Sequence, residues 1–160
     1  QWSAIGGGMH MLMHGFGKIT LVFCAGAIFL ATHKSNVSDL DGVGRRMPFT
    51  MLAFCIGALC VIGLPQTGGV WSKMHLIMGA LDTGESLVVV AFVLSTLLNI
   101  GYLLPPVMRA FLRPLPEGEP SGMQEAPMLC VVPLCLTATG PLVLFSLAGH
   151  AYGLLSLVIH

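Results

Sequence analysis

Residues 5–31 form an almost unbroken apolar run whose one formal charge, Lys18, stands near its middle. About 20 apolar residues match the hydrocarbon thickness of a bilayer, and a membrane strand needs only about 10. A backbone in hydrocarbon must also satisfy its own hydrogen bonds, which such a run can do as a helix. The composition agrees: 55% of residues are hydrophobic, 9% are charged and the mean hydropathy is +0.87. Soluble domains carry about 25% charged residues. Seven basic residues balance seven acidic ones, which removes the electrostatic basis for nucleic-acid binding.

Three further apolar segments follow. Residues 49–81 are too long for one straight helix and are interrupted by Gly63, Leu64, Pro65, Gln66, Thr67, Gly68 and Gly69, a combination that no continuous helix tolerates. Residues 86–104 form a third span, ending before Pro105 and Pro106. A polar linker over 114–127 leads to a fourth, 128–148, and the C-terminal membrane region extends over 128–160. The expected fold is therefore an all-α integral membrane protein of about four transmembrane helices, one of them broken mid-membrane. The chain has no initiator methionine and no signal-peptide pattern, and its last apolar stretch cannot complete a span. It reads as part of a longer polytopic protein.

If the broken segment crosses once, Lys34, Arg45 and Arg46 share a side with Arg109 and Arg113. The opposite turn then carries Asp82 and Glu85 and no basic residue, as the positive-inside rule requires. A hairpin would split the basic loops between the two faces. The single broken crossing is preferred, with the first helix running from outside to inside.

Within the first span, His10, His14 and Lys18 recur every four residues. Each step turns about 40° and rises about 6 Å, so the three define a line of protonatable groups. An ionisable group inside hydrocarbon is costly and marks a functional site by default. Lys18 is too far from either helix end to snorkel well. Lys73 follows the break, where transporters use half-helix ends to line polar cavities. His75 faces away from Lys73 and ranks lower. A metal reading of His10 and His14 lacks the adjacent glutamate and a third ligand, and haem lacks an attachment motif, so no metal or cofactor is expected. Asp39 and Asp41 with Arg45 and Arg46 read as a solvated salt-bridge cluster. Thr50, Ser95, Thr96, Asn99, Thr137 and Thr139 read as interhelical hydrogen-bonding groups. The five cysteines form no C-x-x-C pair and read as small buried hydrophobes.

Two stretches carry a resemblance. HMLMHGFGKITLVFCAGAI (10–28) resembles the H-x-x-x-H-x-x-x-K helix of proton-translocating antiporter-like membrane subunits. DLDGVGRRMPFTMLAFCIGALCVIGLPQTGGVWSKMHLI (39–77) resembles the same family's next segment, with a helix broken before a Ser-Lys. That family includes antiporter-like subunits of respiratory complex I, membrane-bound hydrogenases and Mrp Na⁺/H⁺ antiporters; GALDTGE and STLLNIGYLLPPVMRAF make the D-type component of the Mrp antiporters the most similar. The likeness covers residues 1–113 well and the rest loosely.

The resemblance implies a fourteen-helix fold with two inverted five-helix repeats, of which this chain supplies helices eleven to fourteen and part of the second half-channel. It implies that Lys18 is the central lysine, His10 and His14 its flanking histidines, and Lys73 the broken-helix lysine at the exit. Gln66 and Gly17 depart from the usual proline and aromatic, and neither change removes a titratable group. The implied activity is proton translocation within a multisubunit Na⁺/proton antiporter of a bacterial inner membrane, in contact with lipid and with other membrane subunits. In complex I or a hydrogenase the chain would be a non-redox, proton-pumping subunit, and any NADH:quinone oxidoreductase chemistry would belong to partners. A purely structural assembly subunit would leave two intramembrane lysines in line with histidines unexplained.

Overall fold

The computed structural model describes residues 2–33, 35–63, 68–116, 118, 122–147, 150 and 153. Helix α1 spans Trp2–Thr32, and a short 3-10 turn, Val37–Leu40, leads to the one-turn α2, Val43–Arg46. Helices α3 (Pro48–Ile62) and α4 (Gly68–Asp82) flank the break, followed by α5 (Ser86–Leu112) and α6 (Met128–Ser146). Among the described residues, three helical segments are long and apolar enough to cross a membrane: His10–Thr32, Ser86–Leu112 and Met128–Ser146. Apolar side chains such as Leu87, Val90, Leu94, Leu97 and Leu98 stand exposed along α5. A stripe of that kind suits hydrocarbon rather than water.

Helix α3 begins as its sequence dictates. Pro48 occupies its first turn, where a missing N–H costs nothing. It ends at Gly63, whose φ of 83° is left-handed, and whose N–H donates to Leu59 O at 2.9 Å. Such a C-terminal glycine closes a helix without Cβ strain. Leu64, Pro65, Gln66 and Thr67 lie outside the described residues. Helix α3 ends at Ile62, capped by Gly63, before them and α4 begins at Gly68 after them, so the regular helix is interrupted where the Gly and Pro cluster falls.

Helix α1 is the spine. Its C-terminal half packs on α3: Cys24, Ala27 and Ile28 share one buried cluster with Met47, Met51 and Ala53. Gly17 and Gly57 bring the two backbones close, the packing that small residues allow between membrane helices. Towards its N-terminus α1 meets α4 instead, at His10 and Ser72. Helices α3 and α4 therefore run in succession along α1, in the register of one interrupted crossing. Helix α5 returns antiparallel, with Leu103 packed against Ala58, Val61 and Ile62.

Two of the sequence expectations change. The third helix does not stop at Leu104 but continues through Pro105 and Pro106 to Leu112. Prolines persist inside membrane helices where neighbours hold the surrounding turns. Here Pro106 and Ala110 are buried, Gly42 N–H donates to Arg109 O at 3.3 Å, and Arg113 and Arg109 lie 3.2 Å and 3.6 Å from Asp41. Asp41, expected beside Arg45 and Arg46, is thus paired with α5 and its end. The described part of the 114–127 linker is also anchored. Gln124 N–H donates to Arg46 O at 2.9 Å, and Arg46 donates to the Gln124 side chain. Both basic loops consequently meet at one end of the bundle, and the α4–α5 turn lies at the other.

Candidate functional site

Burial along α1 explains where its ionisable groups fall. Met13, Gly17, Thr20, Cys24, Ala27 and Ile28 are buried, and they define a stripe centred about 50° to one side of His10. A four-residue step drifts about 40° the other way each time. His10 therefore lies at the edge of the stripe and half-buried, His14 is next and also half-buried, and Lys18 is exposed. The imidazoles of His10 and His14 stack, with centroids 4.8 Å apart and planes 22° from parallel. The spacing that aligns the three groups also carries the third off the packed face.

The break brings α4 to the same place. His10 Nδ1 lies 3.1 Å from Ser72 Oγ, a fully buried hydroxyl, which in turn lies 3.0 Å from Gly69 O. One residue on, Lys73 turns back across the break. Its Nζ donates to Val61 O (3.2 Å), Ile62 O (2.7 Å) and Thr96 Oγ1 (3.1 Å). The carbonyls are among those a helix C-terminus leaves without an internal partner, and a cation is favoured there. Gly63 fits this arrangement, since a Cβ there would meet the Lys73 stem at 2.9 Å. Gly69 is equally constrained, because a Cβ would collide with the Cys60 carbonyl oxygen. Gly68 begins α4, while Leu64 and Pro65 lie outside the described residues. His75 is buried one turn beyond Ser72 on the same side of α4.

The predicted residues thus gather unequally. His10, His14 and Lys73 surround the start of α4, and both lysines, Lys18 and Lys73, are within electrostatic range of the two histidines. Lys18 alone stands at the outward edge. Two partners were less legible. Thr96 was one of several hydroxyls on apolar helices, and only the fold shows that it accepts from Lys73. Its own proton goes to Phe92 O at 3.0 Å, which leaves a lone pair for the ammonium. Ser72 lay in the Trp-Ser-Lys string but carried no signal of contact with His10. The other flagged hydroxyls divide: Thr50 bonds across to Glu125, whereas Thr137 and Thr139 bond within their own helix.

Helix α3 is charged at both ends. At its start Glu125 accepts from Phe49 N–H and from Thr50 Oγ1, both at 2.7 Å. A carboxylate at the N-terminus and an ammonium at the C-terminus both complement the helix dipole.

Residues 1–99 match the family described as "NADH:quinone oxidoreductase/Mrp antiporter, TM". The chain is similar to NADH-quinone oxidoreductase subunit N of Desulforudis audaxviator, 35% identical over 147 residues, which cover 85% of this chain and 29% of that protein. It is 31% identical to subunit L of the same kind of enzyme from Mycobacterium tuberculosis, over 82% of this chain and 22% of the relative. It is 30% identical to F(420)H(2) dehydrogenase subunit L of Methanosarcina mazei, over 81% and 20%. The chain therefore spans less than a third of the length of the curated relatives it matches. With its apolar helices and a transmembrane family match over more than half its length, this all-α chain is an integral membrane protein. It belongs to the NADH:quinone oxidoreductase/Mrp antiporter transmembrane family.

Proposed function

We propose that this chain forms one segment of a proton path through an antiporter-like membrane subunit. The observation that carries the reading is the convergence of His10, His14 and Lys73 at the interrupted α3–α4 crossing. Ionisable groups at membrane depth are costly and by default mark a transport path, and an interrupted helix supplies the polar backbone that a hydrated path needs. Protons pass by way of the stacked histidines, with Lys18 at the outward edge and Lys73 at the break. A charge on one group disfavours a charge on the next, which links uptake at one point to release at another.

The assembly favoured is a quinone-linked or related oxidoreductase, because the relatives just described are named as subunits of NADH-quinone oxidoreductase and F(420)H(2) dehydrogenase. In that setting the chain is a non-redox subunit beside other membrane subunits, surrounded by lipid in a bacterial inner membrane. A Na⁺/proton antiporter of the Mrp type is the second reading. The family description covers both classes, and the string from Gly79 to Phe111 resembles the D-type component of the Mrp antiporters.

The deciding experiment is proton uptake by vesicles containing the full-length subunit in its native complex. Lys18→Ala and Lys73→Ala should each assemble normally and abolish proton-coupled transport. Undiminished uptake with normal assembly refutes the path. Dependence of uptake on Na⁺ identifies the antiporter, and dependence on quinone reduction identifies the oxidoreductase.

A further inference from the structure

We infer that Ser72 is a positioning residue that fixes the tautomer of His10, so that Nδ1 carries the proton and Nε2 is the nitrogen that exchanges one. The functional weight of this inference rests on the proton path proposed above, but the tautomer itself does not. Among the described residues, Ser72 Oγ has two polar neighbours in the hydrogen-bond geometry: Gly69 O at 3.0 Å and His10 Nδ1 at 3.1 Å. A carbonyl oxygen only accepts, and a hydroxyl has one proton to give. With that proton on Gly69 O, the Oγ lone pair faces Nδ1, which must then be the donor. The tautomer of a histidine is set by the partner of its other nitrogen, and here that partner belongs to a different helix.

The neighbourhood holds this choice in place. Ser72 is fully buried, so water does not compete for its hydroxyl. The His10 ring is also stacked on His14, which limits the ring flip that would put Cδ2 in place of Nδ1 opposite Ser72. Nε2 is left to the side away from Ser72, and His14, Lys18 and Lys73 are among the ionisable groups within electrostatic range. Ser72 directly precedes Lys73, so the residue that orients the histidine rides on the same turn as the lysine bonded across the break. A proton arriving at Nε2 gives an imidazolium that still donates from Nδ1 to Ser72. It can leave again from Nε2 without disturbing that bond.

The test is nitrogen and carbon NMR of ring-labelled histidine in the full-length protein, reconstituted in phosphatidylethanolamine–phosphatidylglycerol vesicles, with the His10 signal assigned by its loss in His10→Gln. Neutral His10 should show a protonated Nδ1 and a bare Nε2. Ser72→Ala should convert it to the Nε2-protonated form, and Ser72→Thr should retain the wild-type form. A wild-type His10 protonated at Nε2, or a tautomer unmoved by Ser72→Ala, overturns the inference. The wild-type spectrum decides even if Ser72→Ala does not fold. On the same vesicles Ser72→Ala should lower proton uptake about ten-fold or more, with Ser72→Thr restoring it. A tautomer that switches while uptake is unchanged in both Ser72→Ala and His10→Gln upholds the Ser72 assignment and refutes the proton path instead.

Discussion

Nζ of Lys73 lies 2.7 Å from the carbonyl oxygen of Ile62, so the lysine that follows the break caps the helix that precedes it. Its two other bonds, to Val61 O and Thr96 Oγ1, use all three donors of an ammonium group. A neutral amine has only two. Loss of the proton therefore costs one of the bonds that join α3, α4 and α5, and the protonation state of Lys73 is tied to how the break is held together.

Two substitutions separate the roles of Lys73. Lys73→Met removes both the proton carrier and the cap, so proton uptake should vanish and the purified protein should lose about 0.6–2 kcal/mol of stability, the range for hydrogen bonds between membrane helices. Lys73→Arg keeps a cation that can reach the carbonyls but does not deprotonate. It should retain most of the stability and still lose uptake. Thermal unfolding in detergent and vesicle uptake measured side by side check both outcomes.

Thr96→Val is nearly isosteric and removes the hydroxyl that accepts from Lys73. One interhelical hydrogen bond is worth about 1 kcal/mol, so uptake should fall several-fold with little change in assembly. Thr96→Ser should restore it. Equal losses in Thr96→Val and Thr96→Ser would assign the effect to the shape of α5 rather than to the hydroxyl.

Much of this fold is legible from periodicity and punctuation alone. Residues 5–31 require a helix, and the Gly and Pro cluster after Ile62 requires a break. The places that are not legible have physical reasons. Pro105 and Pro106 read as a stop because sequence does not reveal that Asp41 and Gly42 hold the turns after them. His10, His14 and Lys18 read as one line, but a helix of 3.6 residues per turn moves each successive member about 40° off the packed stripe. Ser72 and Thr96 are the hardest cases. A hydroxyl's role depends on where its single proton goes, and Gly69 O and Phe92 O become its acceptors only once the chain is folded.

Glu125 provides a contrast in which structure and transport should separate. Its carboxylate accepts from Phe49 N–H and Thr50 Oγ1 at the start of α3, about 20 Å from Lys73 along the 15-residue helix. Glu125→Ala removes this cap and should cost about 0.5–2 kcal/mol. Uptake per assembled complex should stay near wild type, because no relay group is touched. A lower unfolding temperature with unchanged specific uptake is the expected pair of results.

Gly69→Ala tests whether the close approach of α3 and α4 is needed. The added Cβ would collide with the Cys60 carbonyl oxygen, a backbone atom that cannot swing aside as a side chain can. The start of α4 must then move, and with it Ser72 and Lys73, whose bonds to His10 and Ile62 are 3.1 Å and 2.7 Å long. Overpacking of this kind costs about 1–3 kcal/mol, so yield and unfolding temperature should fall and uptake should be lost. Gly101→Ala is the control. Gly101 lies within α5 with no atom near enough to meet a new Cβ, and replacing an interior helical glycine by alanine favours the helix. It should match or exceed wild type in stability and retain uptake, so equal damage from both substitutions would deny Gly69 its special place at the break.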